Sequence, residues 1–292
     1  EKGETLGLVG ESGSGKTMTA LSVLNIVPSP GKINGGKILF NNNVISNLDE
    51  EQMRKIRGKK IALIFQDPTS SLHPLYTVGK QIADILKTHD KLNSNDAKNR
   101  VIELFIEVGI PEPKIRVNQY PHEFSGGMKQ RVAIARALAL NPELLFADEP
   151  TTNLDVTIQA QVLDLLKHLK KSKQMSLIII THDMGVVADI TQRITVLYAG
   201  MVAEIANTKT LFKNPKHPYT RQLLDAVPRP DIKKRLEPIP GNIPQLISPP
   251  TGCRFHPRCK YAEKICSEKI PALETVSKNH LVSCHLWKKI KF

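Results

Sequence analysis

One stretch near the start of the chain decides its fold class: Gly10-Glu11-Ser12-Gly13-Ser14-Gly15-Lys16-Thr17. It follows the apolar residues 6–9 and precedes a helical pattern over residues 17–26, so the order is strand, glycine-rich loop and helix. The backbone N–H groups of such a loop converge on phosphate oxygens, and glycines permit the backbone angles that this requires. We expect Lys16 to reach the β- and γ-phosphates of a nucleotide and the Thr17 hydroxyl to bind Mg²⁺. The alternative is a glycine-rich turn in an ordinary α/β protein, which the preceding strand disfavours.

The rest of the chain alternates between two kinds of pattern. Short apolar runs predict strands at residues 37–40, 61–65, 144–147 and 177–180, and a hairpin over 194–206 that turns at Ala199-Gly200. Between residues 68 and 139 the apolar side chains instead recur at helical spacing. Strands that alternate with helices indicate a layered α/β sheet with parallel pairing. The predicted fold class is therefore an α/β P-loop NTPase with an inserted helical subdomain and a small cysteine-containing C-terminal extension.

The predicted domain organisation follows these patterns. A RecA-like core occupies residues 1–67 and 139–212, the helical subdomain occupies 68–138, and the C-terminal region occupies 213–292. The chain begins with Glu1 and enters the first strand almost at once, so we expect that an N-terminal segment precedes it. No run of about 18 apolar residues is present, so the sequence predicts no membrane-spanning helix.

The net charge of +13 is concentrated near the C-terminus. Residues 213–292 contain 16 Lys and Arg against 6 Asp and Glu, so this region alone carries +10. A basic region of this kind can meet nucleic acid, anionic lipid headgroups or an acidic partner. A solvated, lysine-rich surface explains the same charge equally well.

Two adjacent carboxylates supply the partner that a phosphate loop needs. Asp148 and Glu149 directly follow the apolar residues 144–147, which predict a buried strand. Ligands of open α/β sheets bind at the carboxyl ends of the strands, so Asp148 is expected to hold Mg²⁺ there. Glu149 is expected to polarise a water molecule for attack on the γ-phosphate. The alternative is an ordinary surface pair.

A third motif, at residues 124–131, makes the order of motifs in this chain similar to that of a known family. Residues Phe124-Ser125-Gly126-Gly127-Met128-Lys129-Gln130-Arg131 lie between the predicted strands at 61–65 and 144–147, and Ser-Gly-Gly opens a helical pattern. With the two motifs above, this order resembles the nucleotide-binding subunits of ABC transporters, and the octapeptide is similar to the signature sequence of that family. The resemblance implies that Ser125, Gly126 and Gly127 close on the γ-phosphate of an ATP molecule held by a partner subunit. Phe124 and Met128 stand where the commonest family signature has Leu and Gln.

The same resemblance assigns roles to three further residues. Gln66 corresponds to the Q-loop glutamine, which contacts Mg²⁺ or the lytic water and couples the site to the membrane subunits. Asp155 corresponds to the D-loop aspartate at the dimer seam, and it also suits the N-cap of the following helix. His182 corresponds to the switch histidine that contacts the γ-phosphate. The aromatic residue that stacks on adenine in this family is expected upstream of Glu1.

The C-terminal region indicates which group of ABC transporter ATPases the chain resembles. Its residues 217–220, with the sequence His-Pro-Tyr-Thr, and the segments 223–228 and 239–241 resemble the tail of oligopeptide, dipeptide and nickel importer ATPases. The implied function is ATP hydrolysis at the cytoplasmic face of a bacterial membrane, powering the uptake of di- and oligopeptides. The implied partners are a second, homologous ATPase subunit that forms a heterodimer, two transmembrane permease subunits and an extracytoplasmic solute-binding protein. No direct nucleic-acid partner is expected. Import of nickel or another small solute is the nearer alternative, and a soluble nucleic-acid-associated ABC ATPase is the more distant one.

All four cysteines lie in this region, at Cys253, Cys259, Cys266 and Cys284. Cytosolic cysteines stay reduced, so disulfides are disfavoured, whereas four thiolates can complete one tetrahedral site for zinc or an iron–sulfur cluster. The importer tail that this region resembles is associated with a [4Fe–4S] cluster, so the resemblance favours that cofactor. The alternatives are a zinc site, which His256, His280 or His285 could join, and four ordinary cysteines.

Overall fold

The computed structural model of the chain describes residues 1–227 and 239–292, so that Pro228, the last residue of the 223–228 segment, lies outside the described residues. The strands are β1 (Thr5–Val9), β2 (Leu39–Phe40), β3 (Asn43–Val44), β4 (Ile61–Ile64), β5 (Leu144–Asp148), β6 (Ser176–Thr181), β7 (Arg193–Tyr198), β8 (Met201–Asn207), β9 (Glu274–Ser277) and β10 (His280–Val282). The α-helices are α1 (Lys16–Val23), α2 (Glu50–Ile56), α3 (Pro68–Ser71), α4 (Val78–Asp90), α5 (Ser94–Glu107), α6 (Pro113–Arg116), α7 (Gly126–Leu138), α8 (Val156–Ser172), α9 (Met184–Ile190), α10 (Thr208–Lys213), α11 (Pro218–Asp225) and α12 (Lys264–Glu268).

The chain divides into two compact units. The first comprises Glu1–Glu4 and Ala20–Ile178, and the second comprises Thr5–Thr19 and Ile179–Phe292. The chain passes from the first unit into the second within β6. Residues 68–138 carry helices α3 to α7 and lie wholly in the first unit. The four-part division at residues 67, 138 and 212 stays a prediction.

The first unit contains a parallel pair of strands, β4 and β5. Ile61 lies opposite Leu144 and Ile64 lies opposite Ala147, so the two strands end at the same edge. Both strands are apolar on both faces and mostly buried, as is usual for parallel strands covered by helices. Burial of each large aliphatic side chain here stabilises the unit by about 1.5–3 kcal/mol.

The helices of the first unit form its second layer. Their inward-facing side chains are fully or almost fully buried, and those of α4, α5 and α7 include Ile82, Leu86, Val101, Leu104, Ile134 and Leu138. Side-chain caps define where the helices begin: the Thr77 hydroxyl accepts a hydrogen bond from the Lys80 N–H, and the Asn93 amide oxygen accepts two at the start of α5. The helical spacing seen between residues 68 and 139 is thus realised as packed helices.

The second unit is built on β1 and the hairpin of β7 and β8. Strand β1 pairs with β7 in parallel, β7 pairs with β8 antiparallel, and β8 continues through β10 to β9 in antiparallel pairs. The hairpin turns at Ala199 and Gly200, whose φ angles are 47° and 79°. Two consecutive positive φ angles match the twist of a two-residue hairpin turn. The hairpin and its turn, predicted from the sequence, are confirmed.

An aromatic cluster fills the core of the second unit. The ring of Tyr198 lies 4.6 Å from that of Tyr219 and 5.1 Å from that of Phe255, measured between centroids, and both contacts are edge-to-face. Tyr198 belongs to the hairpin, Tyr219 to α11 and Phe255 to the cysteine-containing region, so three separate segments share one core with Val9 of β1. The C-terminal region is therefore a packed part of this unit.

Some predicted element bounds differ from the structure. The strand predicted at residues 37–40 is reduced to β2, which forms an isolated two-residue ladder with β3. Asn41 and Asn42 both have positive φ angles there, so the chain turns back at once. Helix α1 ends at Val23, three residues before the predicted end, and Asn25 has a positive φ that cannot continue a helix. Of the helices in residues 1–227 and 239–292, none combines the length and the apolar character that a membrane-spanning helix needs.

Candidate functional site

The glycine-rich loop joins β1 to α1 in the second unit. Gly10 has a φ angle of 154°, and a Cβ atom at this position would lie 2.2 Å from the Leu197 carbonyl oxygen and 2.7 Å from the Ser14 hydroxyl. Only glycine fits such an approach of two backbones. Gly13 and Gly15 also have positive φ angles, at 76° and 99°. The loop conformation therefore depends on the glycines that the motif contains.

Lys16 is the buried cation of this loop. Its side chain lies over the loop, and the Nζ atom donates hydrogen bonds of 2.7 Å to the Gly10 carbonyl and 3.0 Å to the Glu11 carbonyl. Lys16 is only 6% exposed, so solvent screens its charge weakly. Thr17 and Ser12 are exposed beside it, while Ser14 is buried. A desolvated ammonium beside backbone donors is a site for a phosphate group.

The loop is braced by the hairpin turn in the same unit. The Gly200 N–H donates to the Ser14 carbonyl at 2.9 Å. The Arg254 guanidinium donates to the Ala199 carbonyl on the other side of that turn. The turn thus connects the loop to the cysteine-containing region.

A second group of predicted residues lies at the ends of β4 and β5 in the first unit. Because Ile64 and Ala147 are opposite each other in a parallel pair, Gln66 and Glu149 both emerge two residues later at the same edge. The Gln66 Nε2 donates to Glu149 Oε2 at 2.8 Å, and the Thr152 hydroxyl donates to the same oxygen at 2.9 Å. The structure therefore brings Gln66 and Glu149 together. Thr152 was missed by the sequence reasoning, although its place three residues after Glu149 suits a local turn.

The backbone conformation at Glu149 also orients its side chain. Glu149 has a φ angle of 44°, an uncommon conformation for a residue other than glycine, and such strain concentrates at functional sites. Asp148 is the last residue of β5 and only 3% exposed, whereas Glu149 is partly exposed. One carboxylate is thus buried at the strand end, and the next is turned away from the strand and oriented by two hydrogen bonds. Such an arrangement can orient a water molecule.

The signature-like turn opens α7 in the first unit. Ser125 is the N-cap, and its hydroxyl accepts a hydrogen bond of 3.4 Å from the Met128 N–H. A Cβ atom on Gly127 would lie 2.8 Å from the Ile158 side chain of α8, whereas one on Gly126 would meet nothing closer than 3.9 Å. The turn is exposed at Ser125 and Gly126, and its side-chain-free backbone can approach a further group. Phe124 beside it is buried, so the aromatic side chain serves as an apolar anchor.

Asp155 and His182 each precede a helix. Asp155 is exposed and caps α8, with its carboxylate accepting from the Ile158 N–H at 3.0 Å, so the predicted capping role is confirmed. His182 is exposed in the second unit, between the end of β6 and the Asp183 cap of α9. The predicted residues thus form two sets: the loop and His182 belong to the second unit, and Gln66, Asp148, Glu149, Ser125 to Gly127 and Asp155 belong to the first.

All four cysteines carry free thiols in the C-terminal region. Burial raises the pKa of Cys253 to about 11 and that of Cys284 to about 12, and the neighbouring thiols act in the same direction. A metal ion that bound here would displace the thiol protons, because a metal ligand must be a thiolate. Within residues 1–227 and 239–292, no three His, Cys, Asp or Glu side chains are placed to hold a metal ion. The predicted iron–sulfur cluster and the zinc alternative therefore find no support in this arrangement.

Sequence reasoning also missed two residues that contact the loop. The Arg258 guanidinium forms a two-pronged ion pair with the Glu11 carboxylate, and the Tyr219 hydroxyl accepts a hydrogen bond from the Glu11 N–H. The separations along the chain are 247 and 208 residues, so no local pattern could have indicated these contacts.

Comparison with known protein families agrees with this geometry. The sequence model of the family described as "ABC transporter" matches residues 1–152. A second model, described as "Oligopeptide/dipeptide transporter, C-terminal region", matches residues 203–266. Together they cover both the loop and much of the cysteine-containing region.

Individual relatives match over almost the whole chain. The oligopeptide transport ATP-binding protein OppD of Bacillus subtilis (strain 168) is 50% identical over 289 residues, which are 98% of this chain and 81% of the relative. The dipeptide transport ATP-binding protein DppD of the same organism is 47% identical over 98% of this chain and 86% of its own length. The DppD protein of Haemophilus influenzae is 47% identical over 97% of this chain and 86% of its own length.

Solved structures show the same fold. A dimeric, post-hydrolysis ATP-binding cassette, MJ0796 bound to ADP and Pi, is 30% identical with a TM-score of 0.63, covering 71% of this chain and 87% of the other. The cbiO1 protein of Clostridium perfringens, part of the cbiONQ transporter complex, is 29% identical with a TM-score of 0.64, covering 73% of this chain and 81% of the other. The predicted P-loop α/β fold class is confirmed, and this chain belongs to the ABC transporter family as an ATP-hydrolysing, ATP-binding subunit.

Proposed function

We propose that this chain is the ATPase subunit of a bacterial importer and powers the uptake of di- and oligopeptides from the cytoplasmic face of the membrane. The observation that carries the hydrolytic part is the Glu149 carboxylate, which Gln66 and Thr152 hold by hydrogen bonds directly after the buried strand-end Asp148. The peptide cargo rests on the named relatives and on the oligopeptide/dipeptide region matched at residues 203–266.

Each predicted site residue has a role in this proposal. Lys16 and the backbone N–H groups of residues 10–17 hold the β- and γ-phosphates of ATP. Glu149 orients and polarises the attacking water, because its strained backbone and two hydrogen bonds fix one oxygen. His182 contacts the γ-phosphate from the end of β6.

Magnesium suits the donors that these motifs supply. The Thr17 hydroxyl, the Gln66 amide oxygen and the Asp148 carboxylate are hard oxygen ligands of the kind that Mg²⁺ prefers. When bound, the ion neutralises charge that develops on the phosphate oxygens. In the proposal these three residues bind Mg²⁺, and the remaining catalytic groups need only position substrate and water.

The proposal includes a second cassette. The Ser125-Gly126-Gly127 turn at the start of α7 offers exposed backbone donors and a helix N-terminus, which attract a phosphate. We assign this turn and Asp155 to an ATP molecule held mainly by a homologous partner ATPase, with a heterodimer as the expected form. Two transmembrane permease subunits and an extracytoplasmic solute-binding protein complete the proposed importer.

The four cysteines support a smaller proposal, a [4Fe–4S] cluster with zinc as the alternative. Its support is that the pKa of Cys253, of Cys259 and of Cys284 is raised by burial and further by neighbouring thiols, so the cysteines lie near one another. In the part of the chain that the structure describes, no three His, Cys, Asp or Glu side chains are grouped as a metal site requires, so no catalytic step is assigned to the cluster. Absorbance near roughly 400 nm with bound iron would support the cluster, bound zinc would support the alternative, and neither would refute both.

Uptake by a strain that lacks this chain tests the cargo. We expect uptake of a labelled dipeptide to be lost, to return with the wild-type chain and to remain lost with Glu149→Gln. Labelled nickel uptake is measured in the same strains. Normal peptide uptake with reduced nickel uptake would replace the peptide assignment by the nickel alternative. Unimpaired uptake of both would reject the importer role.

A further inference from the structure

We infer that Arg258 is a positioning residue for the phosphate loop and acts on it through Glu11. Arg258 lies immediately before Cys259, in the C-terminal region, and Glu11 is the second residue of the loop. Both residues belong to the second unit. The inference rests on the proposed role of residues 10–17 in binding ATP and is independent of the transported solute.

The ion pair has the geometry of a strong interaction. Arg258 Nη1 lies 2.7 Å from Glu11 Oε2, and Nη2 lies 3.1 Å from Oε1, so guanidinium and carboxylate meet through two parallel hydrogen bonds. The side chains are 5% and 22% exposed. Two-pronged pairs of this kind fix direction as well as distance, and burial protects them from screening by salt.

Arg258 is itself held in place from several sides. Its Nε donates to the Pro240 carbonyl at 2.9 Å, Nη2 donates to the Ile239 carbonyl at 3.3 Å, and Nη1 donates to the Tyr198 hydroxyl at 3.2 Å. The planar guanidinium therefore has fixed partners in the hairpin and in residues 239–240. A rigid cation of this kind can hold the loop, whereas a flexible surface arginine could not.

A second contact holds the backbone of Glu11. The Glu11 N–H donates to the Tyr219 hydroxyl at 2.8 Å, and Tyr219 is completely buried in the aromatic cluster. The peptide unit that carries this N–H is planar and carries the Gly10 carbonyl at its other end. That carbonyl accepts the 2.7 Å hydrogen bond from Lys16 Nζ. Tyr219 thus fixes one end of a peptide plane, and the proposed phosphate-binding ammonium lies at the other.

Arg258 also compensates the negative charge that Glu11 brings into the phosphate loop. Glu11 puts a carboxylate into a loop that is proposed to bind the most negatively charged part of ATP. The guanidinium compensates that charge, so its removal would leave an uncompensated carboxylate near the phosphates. Loss of Arg258 alone is therefore expected to harm ATP binding more than loss of both charges.

The experiment measures the KM for MgATP, the kcat and the thermal unfolding midpoint of the purified full chain, assembled with its partner subunits. We expect Arg258→Met to raise KM by about tenfold to a hundredfold, because a charged hydrogen-bonded pair is lost. Glu11→Gln is expected to raise KM less. The double variant Glu11→Gln with Arg258→Met is expected to recover part of the loss caused by Arg258→Met, and Arg258→Lys is expected to be intermediate.

A matched pair of conservative variants keeps the test independent of folding. Tyr219→Phe removes only the hydroxyl that accepts from Glu11, and we expect a KM increase of about threefold to tenfold. Tyr261→Phe removes a hydroxyl elsewhere in the same region and is expected to leave KM unchanged. Lys289→Met, at an exposed pair with Glu263, serves as the charge control.

The variant Lys16→Ala distinguishes a failure of the loop's ATP-binding role from a failure of the positioning role of Arg258. If Lys16→Ala abolishes MgATP binding but the Arg258, Glu11 and Tyr219 variants match the wild type, the loop binds ATP and the positioning role is refuted. If MgATP binding survives Lys16→Ala, the proposed ATP-binding role of the loop itself fails. If the double variant is no better than Arg258→Met, the charge compensation is refuted. Equal losses in the unfolding midpoint with unchanged KM would reduce Arg258 to a residue that only stabilises the fold.

Discussion

The phosphate loop of the second unit and the signature-like turn of the first unit are both glycine-rich, yet they are held very differently. The loop has a buried lysine, a buried ion pair at Glu11 and a bracing hydrogen bond from Gly200. The turn is exposed at Ser125 and Gly126, and Ser125 accepts hydrogen bonds of 3.4 Å at its hydroxyl from the Met128 N–H and of 2.8 Å at its carbonyl from the Lys129 N–H. The loop's contacts lie within this chain and can pre-organise it, whereas the turn, which we propose to serve a partner's nucleotide, must stay accessible. We therefore expect substitutions at the exposed turn to alter turnover, substitutions at the ion pair of the loop to alter nucleotide affinity, and substitutions at helix caps and other buried polar groups to alter stability.

The largest effect is expected for Glu149→Gln. An amide cannot accept a proton from water, so kcat should fall by about 10²- to 10⁴-fold, whereas ATP binding persists and an ATP-bound dimer accumulates. Steady-state hydrolysis and size-exclusion chromatography with ATP check both parts. Glu143→Gln, at an exposed pair with Lys60, is the control. Unimpaired hydrolysis by Glu149→Gln would refute the role of Glu149 as the base.

Substitution of Glu204 tests a buried hydrogen-bond network in the second unit. Its carboxylate is completely buried and accepts hydrogen bonds from the Lys216 N–H, the His217 N–H and the His280 Nε2, at 2.7–2.9 Å. Glu204→Ala leaves these three groups without their acceptor, so we expect a loss of about 3–5 kcal/mol in the free energy of unfolding. Chemical denaturation measures it, with Glu263→Ala as the exposed control. A loss below about 1 kcal/mol would show that the network contributes little.

His217 gives the same network a pH dependence. Burial lowers the pKa of His217 to about 4, against an opposing effect of the Glu204 carboxylate. The unfolded chain binds this proton near pH 6.5 and the folded chain does not, so stability is complete above about pH 6.5 and falls as the pH drops towards 4, by about 3 kcal/mol. His217→Asn can still accept the hydrogen bond from the Tyr219 N–H at the start of α11, but it does not titrate. The acid limb of a stability–pH curve should flatten in this variant, and an unchanged limb would contradict the assignment.

Two neighbouring glycines provide a matched comparison in the signature-like turn. Gly127→Ala brings a methyl group to 2.8 Å from the Ile158 side chain, whereas Gly126→Ala enters open space. We expect Gly127→Ala to destabilise the first unit by about 1–3 kcal/mol through overpacking, and Gly126→Ala to leave the unfolding midpoint nearly unchanged. If Gly126→Ala nevertheless reduces hydrolysis, the backbone at Gly126 must come close to another group during turnover, and in the proposal that group is a phosphate of the partner's ATP. Equal midpoints for the two variants would contradict the packing explanation.

The smallest effect is expected for Asp155→Ala. This change removes the N-cap of α8, so about 1 kcal/mol of stability should be lost. Asp155→Ser keeps a capping oxygen and should restore most of that loss. If Asp155→Ser restores stability but not ATP-dependent dimerisation, the carboxylate also acts at the proposed dimer seam, and full recovery of both would leave capping as its whole role.

The sequence could predict whatever depends on local pattern. The loop, the Ala199–Gly200 hairpin turn and the Asp155 cap each follow from residue types a few positions apart. The hydrogen bond between Gln66 and Glu149 depends on the pairing of β4 with β5, and the sequence indicated the two strand ends but not this contact. Arg258 could not be assigned in this way, because its partner Glu11 is 247 residues away and only the tertiary structure brings them together. The cysteine spacing suggested a metal cluster, but spacing does not fix side-chain geometry, so the cluster stays a proposal.

The distance along the chain between the loop and its supports has a consequence during synthesis. Strand β1 pairs with β7, and Glu11 receives Tyr219 and Arg258 only 208 and 247 residues later. At about 5–20 residues per second, a ribosome needs roughly 12–50 s to make the intervening chain. The phosphate loop therefore leaves the ribosome well before the residues that support it, and it acquires its final geometry only after Arg258 has emerged. If Arg258 and Tyr219 position the loop as inferred, a nascent chain is expected to bind nucleotide in the native manner only once the region containing the cysteines has emerged.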